Sequence, residues 1–356
     1  MLDVVRVLAS AVVAFAHLTQ RFFSSGWPDL TDYAWDAVAV FFVLSGFVIR
    51  HVTVRHKSDL PTYFTDRLTR IYSVAIPALA FTFFADLLSK GINPAFYSNW
   101  ATQFSHPVLR ILINLAFCGQ LWNHVVDPMS NSPYWSINYE VAYYLGYGCF
   151  FYLAGKWRWL SVLSLCLLFG PHIVFLAPLW IGGWLAHDLY QRWLAADAVG
   201  VNLLYSALAM VVVGIFGIGL LWVKRILSST HPILQRSTYP PGQKLLSNNY
   251  LFGVIWMLVF LALLYFARKF TLDPHTNTVK AIRFIAEGTF PLYLFHFPLY
   301  VLIASCIHYD HGNPVSKILM FISVLVLGIL AGHPCNLLKT KLRSMAIHLG
   351  IIEPLT

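Results

Sequence analysis

The sequence has little charge. Only 11% of its 356 residues are Asp, Glu, Lys or Arg, against about 25% in a soluble domain. A chain so short of charge cannot cover itself with a water-facing surface, which excludes a soluble globular fold. Acids are scarcer than bases, 15 against 24, and the formal net charge is +9. That excess does not point to nucleic acid, because the cations sit in loops between apolar runs. Cysteine is also scarce. Cys118, Cys149, Cys166, Cys306 and Cys335 each lie in or beside an apolar run. An odd, scattered count gives neither a disulfide framework nor metal-ligand spacing, so no metal is expected. There is no Gly-rich phosphate loop, nucleophile elbow or zinc signature. Internal repeats and low-complexity tracts are absent, and no cleavable leader is expected, since the first apolar run begins at once without a basic stretch before it.

Apolar surface is what the chain has instead. Fifty-eight per cent of residues are hydrophobic, and 27 Phe, 18 Tyr and 12 Trp suit lipid-facing surfaces and interfacial belts. Runs long enough to span a bilayer lie at about 4–20, 36–50, 72–88, 137–154, 201–223, 249–268, 284–306 and 316–337, with shorter ones at about 158–170 and 174–187. The run at 108–122 is ambiguous, being short and holding Arg110 and Asn114. Loop charge arbitrates. If 108–122 does not span and the N-terminus is cytoplasmic, sixteen of the 24 Lys and Arg fall inside. If it spans, the count is 11 inside and 13 outside. The expected fold is therefore all-α, a polytopic membrane helix bundle of about ten transmembrane helices with both termini cytoplasmic. It is read as one integral-membrane domain over 1–356, with no appended soluble domain. Residues 89–135 form an external segment with an interfacial helix at 108–122. The hairpin 224–248 carries four cations yet falls outside, a departure from the rule that would suit an anionic acceptor.

The stretch Leu2–Leu18 carries three groups that hydrocarbon disfavours, Asp3, Arg6 and His17. At about 100° and 1.5 Å per residue, Arg6 and His17 lie within roughly 20° of each other and about 16 Å apart along the axis. Asp3, Ser10, Ala14 and Arg21 fall on the same side. Two readings fit this stripe. Ionisable groups in a span commonly face a cavity or a partner. An interfacial, snorkelling Arg6 with a packed, hydrogen-bonded His17 is the other reading.

Other polar groups stand out less. Arg67 and Arg70 are three apart and therefore neighbours on a helix. Paired guanidinium forks suit a phosphate or pyrophosphate, while ordinary inner-side anchoring also accounts for them. Glu140, the acid of the fourth span, could orient an imidazole or bind a sugar hydroxyl, or simply favour a helix start. The Ser45-Gly46 step reads as close helix packing. His296, two residues before Pro298, reads as a buried, satisfied histidine. The remaining histidines are scattered and carry no assigned role.

Taken together, five motifs resemble membrane acyltransferase family 3. They are Leu2-Asp3-Val4-Val5-Arg6 with His17, Phe41 to Ile49 (FFVLSGFVI), Arg67-x-x-Arg70-Ile71-Tyr72, Trp135-Ser136 with Glu140, and Tyr293-Leu294-x-His296-x-Pro298-Leu299. They occur in the family's order across residues 2–299. The resemblance implies an integral-membrane O-acyltransferase. Such an enzyme moves acetyl or another acyl group from cytosolic acyl-CoA to a hydroxyl of an extracytoplasmic saccharide or glycolipid, in a bacterial inner membrane. On this view His17 is the catalytic base and Arg6 supports the donor or the transferring acyl group. Arg67 and Arg70 hold coenzyme A phosphates, and Glu140 assists from the outer side. Two departures stand out. Ala39 occupies a position where many relatives have Asp, with Asp36 nearby, and Ser73 follows Tyr72 where relatives have Pro. Many relatives carry a further secreted hydrolase-like domain. With the chain ending at Thr356, transfer is expected to finish in the membrane domain or pass to a separate protein. A transporter or flippase for a polar or glycan substrate is the rival reading, and a membrane scaffold a third.

Overall fold

The computed structural model describes residues 1–56, 58–97, 104–195, 244–267, 273–307 and 310–353. The elements are helices α1 (Leu2–Leu18), α2 (Thr31–His56), α3 (Leu60–Ile92), α4 (Pro94–Tyr97), α5 (Pro107–Leu115), α6 (Trp135–Tyr152), α7 (Gly155–Phe169), α8 (Pro171–Ala195), α9 (Lys244–Ala267), α10 (Asn277–Glu287), α11 (Thr289–Cys306), α12 (Pro314–Leu330) and α13 (Gly332–His348). No strand occurs among the described residues. Among the described residues, five stretches are long and apolar enough to cross a membrane, namely Thr31–His56, Leu60–Ile92, Pro171–Arg192, Thr289–Cys306 and Pro314–His348. The expected span at 201–223 and the hairpin from 224 to 243 lie outside the described residues. The remainder of that hairpin, from Lys244, is the start of α9.

The chain forms two compact units. One comprises Met1–Leu2, Trp35–His56 and Val174–Val279. Its helices α2 and α8 cross at Gly46 and Gly183. A Cβ on Gly46 would lie 1.9 Å from the Trp180 carbonyl oxygen, and one on Gly183 would lie 1.9 Å from that of Val43. Only glycine permits such backbone contact. The indole of Trp180 donates to Ser45 Oγ at 3.2 Å. At the end of the same crossing Arg50 grips Asp188 with two hydrogen bonds, and His51 meets His187 at 3.4 Å.

The other unit comprises Asp3–Ala34, Lys57–Ile173 and Lys280–Thr356, and it holds Arg6, His17, Arg67, Arg70 and Glu140. Helix α11 is its centre, packed on α3 and α12 and buried nearly all round. That burial explains why α11 reads as an unbroken apolar run. Helix α1 shows lipid-facing periodicity, with Val4, Leu8 and Val12 exposed at four-residue spacing and Val5, Ala9 and Val13 buried. Helix α3 starts at an Asp59 cap that accepts from the Thr62 N–H at 3.1 Å, with Pro in its first turn.

Several expected boundaries move. Helix α1 ends at Leu18, so Arg21 lies beyond its stripe. The expected helix 108–122 is nine residues, Pro107–Leu115, about 13 Å long and too short for a ~30 Å core. It turns Val108, Leu109 and Leu112 outward and buries Asn114. Residues 116–131 then fold back against the unit. Asn114 bonds the Val126 carbonyl at 2.8 Å, the Gly119 N–H bonds Asn138, and the Ser130 N–H bonds Asp86. The run 284–306 is broken at Gly288, where a Cβ would lie 2.8 Å from the backbone of Ile329. An amphipathic α10 therefore precedes α11. The run 316–337 is interrupted at Ala331, and α13 continues beyond it and packs on α3.

Relative sidedness within this unit follows from contacts. Lys317 donates to the Ser25 carbonyl at 2.6 Å and lies over the Trp27 ring, while the Ser25 N–H bonds the His311 carbonyl. Loops 19–30 and 307–313 thus meet at one end. At the other, Arg343 meets Asp66 at 2.9 Å and Asn336 meets Glu287 at 3.3 Å.

Candidate active site

Two polar centres lie along α1. The first is a pair of imidazoles. Nδ1 of His17 and Nε2 of His296 are 3.0 Å apart. His17 is half-buried, whereas His296 is fully buried. Nδ1 of His296 donates to the Tyr293 carbonyl at 2.7 Å, with the Leu292 carbonyl at 3.3 Å. The edge of Phe297 packs against the His17 ring, with centroids 5.5 Å apart. Tyr300 donates to the Ala14 carbonyl at 3.1 Å and so pins α1 to α11 one turn from His17.

Pro298 shapes the surroundings of this pair. A proline inside a helix cannot donate to the carbonyl four residues back, which here belongs to Leu294. The Asn131 side-chain amide supplies the missing donor at 2.9 Å and also bonds Thr82 Oγ. The segment 116–131 is thereby tied to α11 two residues from His296. In the same segment burial pushes the Asp127 carboxyl up to about 6, against the opposing pull of Arg110. Tyr293 is fixed by its hydroxyl, which donates to the Pro133 carbonyl at 3.0 Å and lies 2.8 Å from Ser136 Oγ.

The second centre is cationic. Arg6 lies 3.8 Å from Asp3 and interacts electrostatically with Arg70, Tyr144 and Glu140. Glu140 accepts a short hydrogen bond from Tyr144. Arg67 is 7% exposed, stands over the Tyr63 ring, and its Nε has no hydrogen-bond partner among the described residues. Lys339 on α13 is exposed and feels Arg70, Arg67, Asp66 and Glu287. Asp66 is already engaged by Arg343 and Glu287 by Asn336. Cations (Arg6, Arg67, Arg70, Lys339 and Arg343) therefore outnumber carboxylates (Asp3, Asp66, Glu140 and Glu287) here, and a buried guanidinium with an unpaired N–H favours an anion.

The residues singled out from sequence thus divide. Arg6, Arg67, Arg70 and Glu140 belong to the cationic centre, and Glu140 stands with Arg6 rather than with His17. His17 belongs to the imidazole pair, about 16 Å further along the helix by its rise. Two contributors take their place only from the folded structure. His296 is buried and satisfied as expected, but one of its ring nitrogens is satisfied by His17, a contact across 279 positions that no local pattern reveals. Lys339 sits on a basic helix whose cations read as ordinary anchors. Among the described residues no group of three or more His, Cys, Asp and Glu side chains is disposed to hold a metal.

A helical unit with long apolar helices, a half-buried imidazole on a polar stripe and a cation cluster at one helix end is that of an integral membrane protein. An acyltransferase-domain family model matches residues 1–333. The chain belongs to this family, membrane acyltransferase family 3, and is an integral membrane acyltransferase. No curated protein and no solved structure matches it.

Proposed function

We propose that this acyltransferase takes an acetyl or other acyl group from cytosolic acyl-CoA. It transfers the group to a hydroxyl of an extracytoplasmic saccharide or glycolipid, in a bacterial plasma membrane with both termini cytoplasmic. The observation that carries the reading is the arrangement along α1, a half-buried imidazole at one depth and the cations at another. A thioester donor that cannot cross the bilayer and an acceptor on the far side both require a site reached from two directions.

In this reading Arg67 and Arg70 bind the coenzyme A phosphates, and their forks match phosphate oxygens. Arg6, on the same cationic side, steadies the donor, with Glu140 and Asp3 orienting it. The extended pantetheine arm then spans the ~16 Å of helix rise from Arg6 to His17. His17 is the general base. Its neutral ring takes the proton of the acceptor hydroxyl as the oxygen attacks the thioester carbonyl carbon. The tetrahedral intermediate collapses, the carbon–sulfur bond breaks, and the imidazolium returns the proton to the departing thiolate. The products are the ester and free coenzyme A. Holding donor and acceptor together supplies proximity.

The test uses purified protein in vesicles with radiolabelled acetyl-CoA. Label transferred to an acceptor, or slow hydrolysis of the donor, supports the enzyme reading. Movement of a polar substrate across the vesicle with no donor consumed would overturn it in favour of a transporter. Mass spectrometry of surface glycans and lipids with and without the protein identifies the acceptor.

A further inference from the structure

We propose that His296 is a positioning residue that fixes the tautomer of His17, so that Nε2 of His17 is the nitrogen that receives the acceptor's proton. This rests on the reading of His17 as the base.

The proton positions follow from the partners. A carbonyl oxygen only accepts, and Nδ1 of His296 lies 2.7 Å from the Tyr293 carbonyl and 3.3 Å from that of Leu292. That nitrogen therefore carries a hydrogen. A neutral ring has one N–H, so Nε2 of His296 is bare and accepts. It faces Nδ1 of His17 at 3.0 Å, so His17 must donate through Nδ1. Its own Nε2 is then the unprotonated nitrogen. The opposite assignment needs a doubly protonated His296 in a site with no exposed surface, which costs the desolvation of a buried charge. From the elements packed on α1 here, His296 is the titratable group that acts on His17, and the aromatic edge of Phe297 covers the remaining flank.

The consequence is mechanistic. When Nε2 of His17 takes the hydroxyl proton, the imidazolium keeps its Nδ1 hydrogen on His296, and the ring does not rotate between accepting and returning the proton. The arrangement does the work that a carboxylate does behind a catalytic histidine elsewhere, with a neutral acceptor suited to an apolar helix.

The test compares full-length variants in kinetics. His296→Leu removes the acceptor and should lower kcat by about 10²-fold, a part of what a positioned base contributes, with the KM for acetyl-CoA unchanged. His296→Gln returns an acceptor oxygen and should recover most of that loss. A merely structural His296 predicts no preference for Gln over Leu, and that result overturns the inference. Nitrogen-15 NMR of histidine-labelled wild-type protein avoids any folding defect. It should show His17 protonated at Nδ1 and bare at Nε2, with its signals assigned by their loss in His17→Gln. A ring protonated at Nε2 overturns the inference while leaving His17 as a base. Wild-type transfer by His17→Gln would instead sink the underlying reading.

Discussion

Replacing Arg67 by alanine should separate binding from stability. The side chain is 7% exposed and its Nε hydrogen is unpaired among the described residues, with Arg70 three residues on and Lys339 within electrostatic reach. In the unliganded protein the substitution removes a buried cation from a like-charged group, which offsets the loss of its desolvated contact with the Tyr63 ring, worth about 2 kcal/mol. The unliganded Tm should therefore change little. With donor bound, the loss is a charge-assisted hydrogen bond of about 1.5–3 kcal/mol, or roughly 10- to 150-fold in Kd. At a donor concentration of 100 Kd the wild type gains about 2.7 kcal/mol, and a hundredfold weaker variant gains only about 0.4 kcal/mol at the same concentration. Thermal unfolding in detergent with and without acetyl-CoA reads both quantities. Arg67→Lys should recover part of the shift, since a point charge lacks the fork. A donor-induced shift equal to wild type in Arg67→Ala would refute the argument, and so would a large fall in unliganded Tm.

Lys339→Gln should weaken donor binding less than Arg67→Ala, by under about fivefold, because an exposed charge contributes about 0.2–1 kcal/mol; isothermal titration of both variants gives the order, and a larger effect at Lys339 would reverse it. In a cysteine-free background, a membrane-impermeant thiol reagent should label Val125→Cys in intact cells and Leu349→Cys only after permeabilisation, both positions being well exposed; the opposite pattern inverts the topology. Asp127→Asn should leave Tm unchanged at pH 4 and raise it at pH 7.5. Burial holds the native carboxyl at about 6, so wild-type stability is present below the unfolded value near 3.9 and is lost as pH rises through 6. The gain at neutral pH should be about 1–3 kcal/mol, and equal Tm profiles for the two proteins would show that the carboxyl titrates normally.

What the sequence discloses here follows from the range of each interaction. The stripe on α1 is periodic over eleven residues, so Arg6 and His17 can be placed on one face without a fold. The stop after Leu115 is harder to read, because apolar residues continue to Trp122 and hydropathy does not register the turn. The break at Gly288 is similarly hidden, since the apolar run continues and the cause is the backbone of Ile329, forty-one residues away. The partner of His17 is more remote still. His296 becomes meaningful only when α11 is packed on α1 by Tyr300 and Ala14. Asn131 cannot be identified as the donor to the carbonyl freed by Pro298 until the segment 116–131 folds back. Lys339 belongs to the cationic centre because α13 packs on α3, a contact that charge counting alone cannot supply.

The central claim is that His17 removes the acceptor's proton and is not needed to hold the donor. Acetyl-CoA binding and acetyl transfer measured on one preparation of His17→Gln test it directly. The variant keeps a hydrogen-bonding side chain but cannot take the proton. Binding should stay within about twofold of wild type while transfer falls by at least the ~10²-fold that a positioned base contributes. Transfer near the wild-type rate, or binding lost together with transfer, would contradict the account.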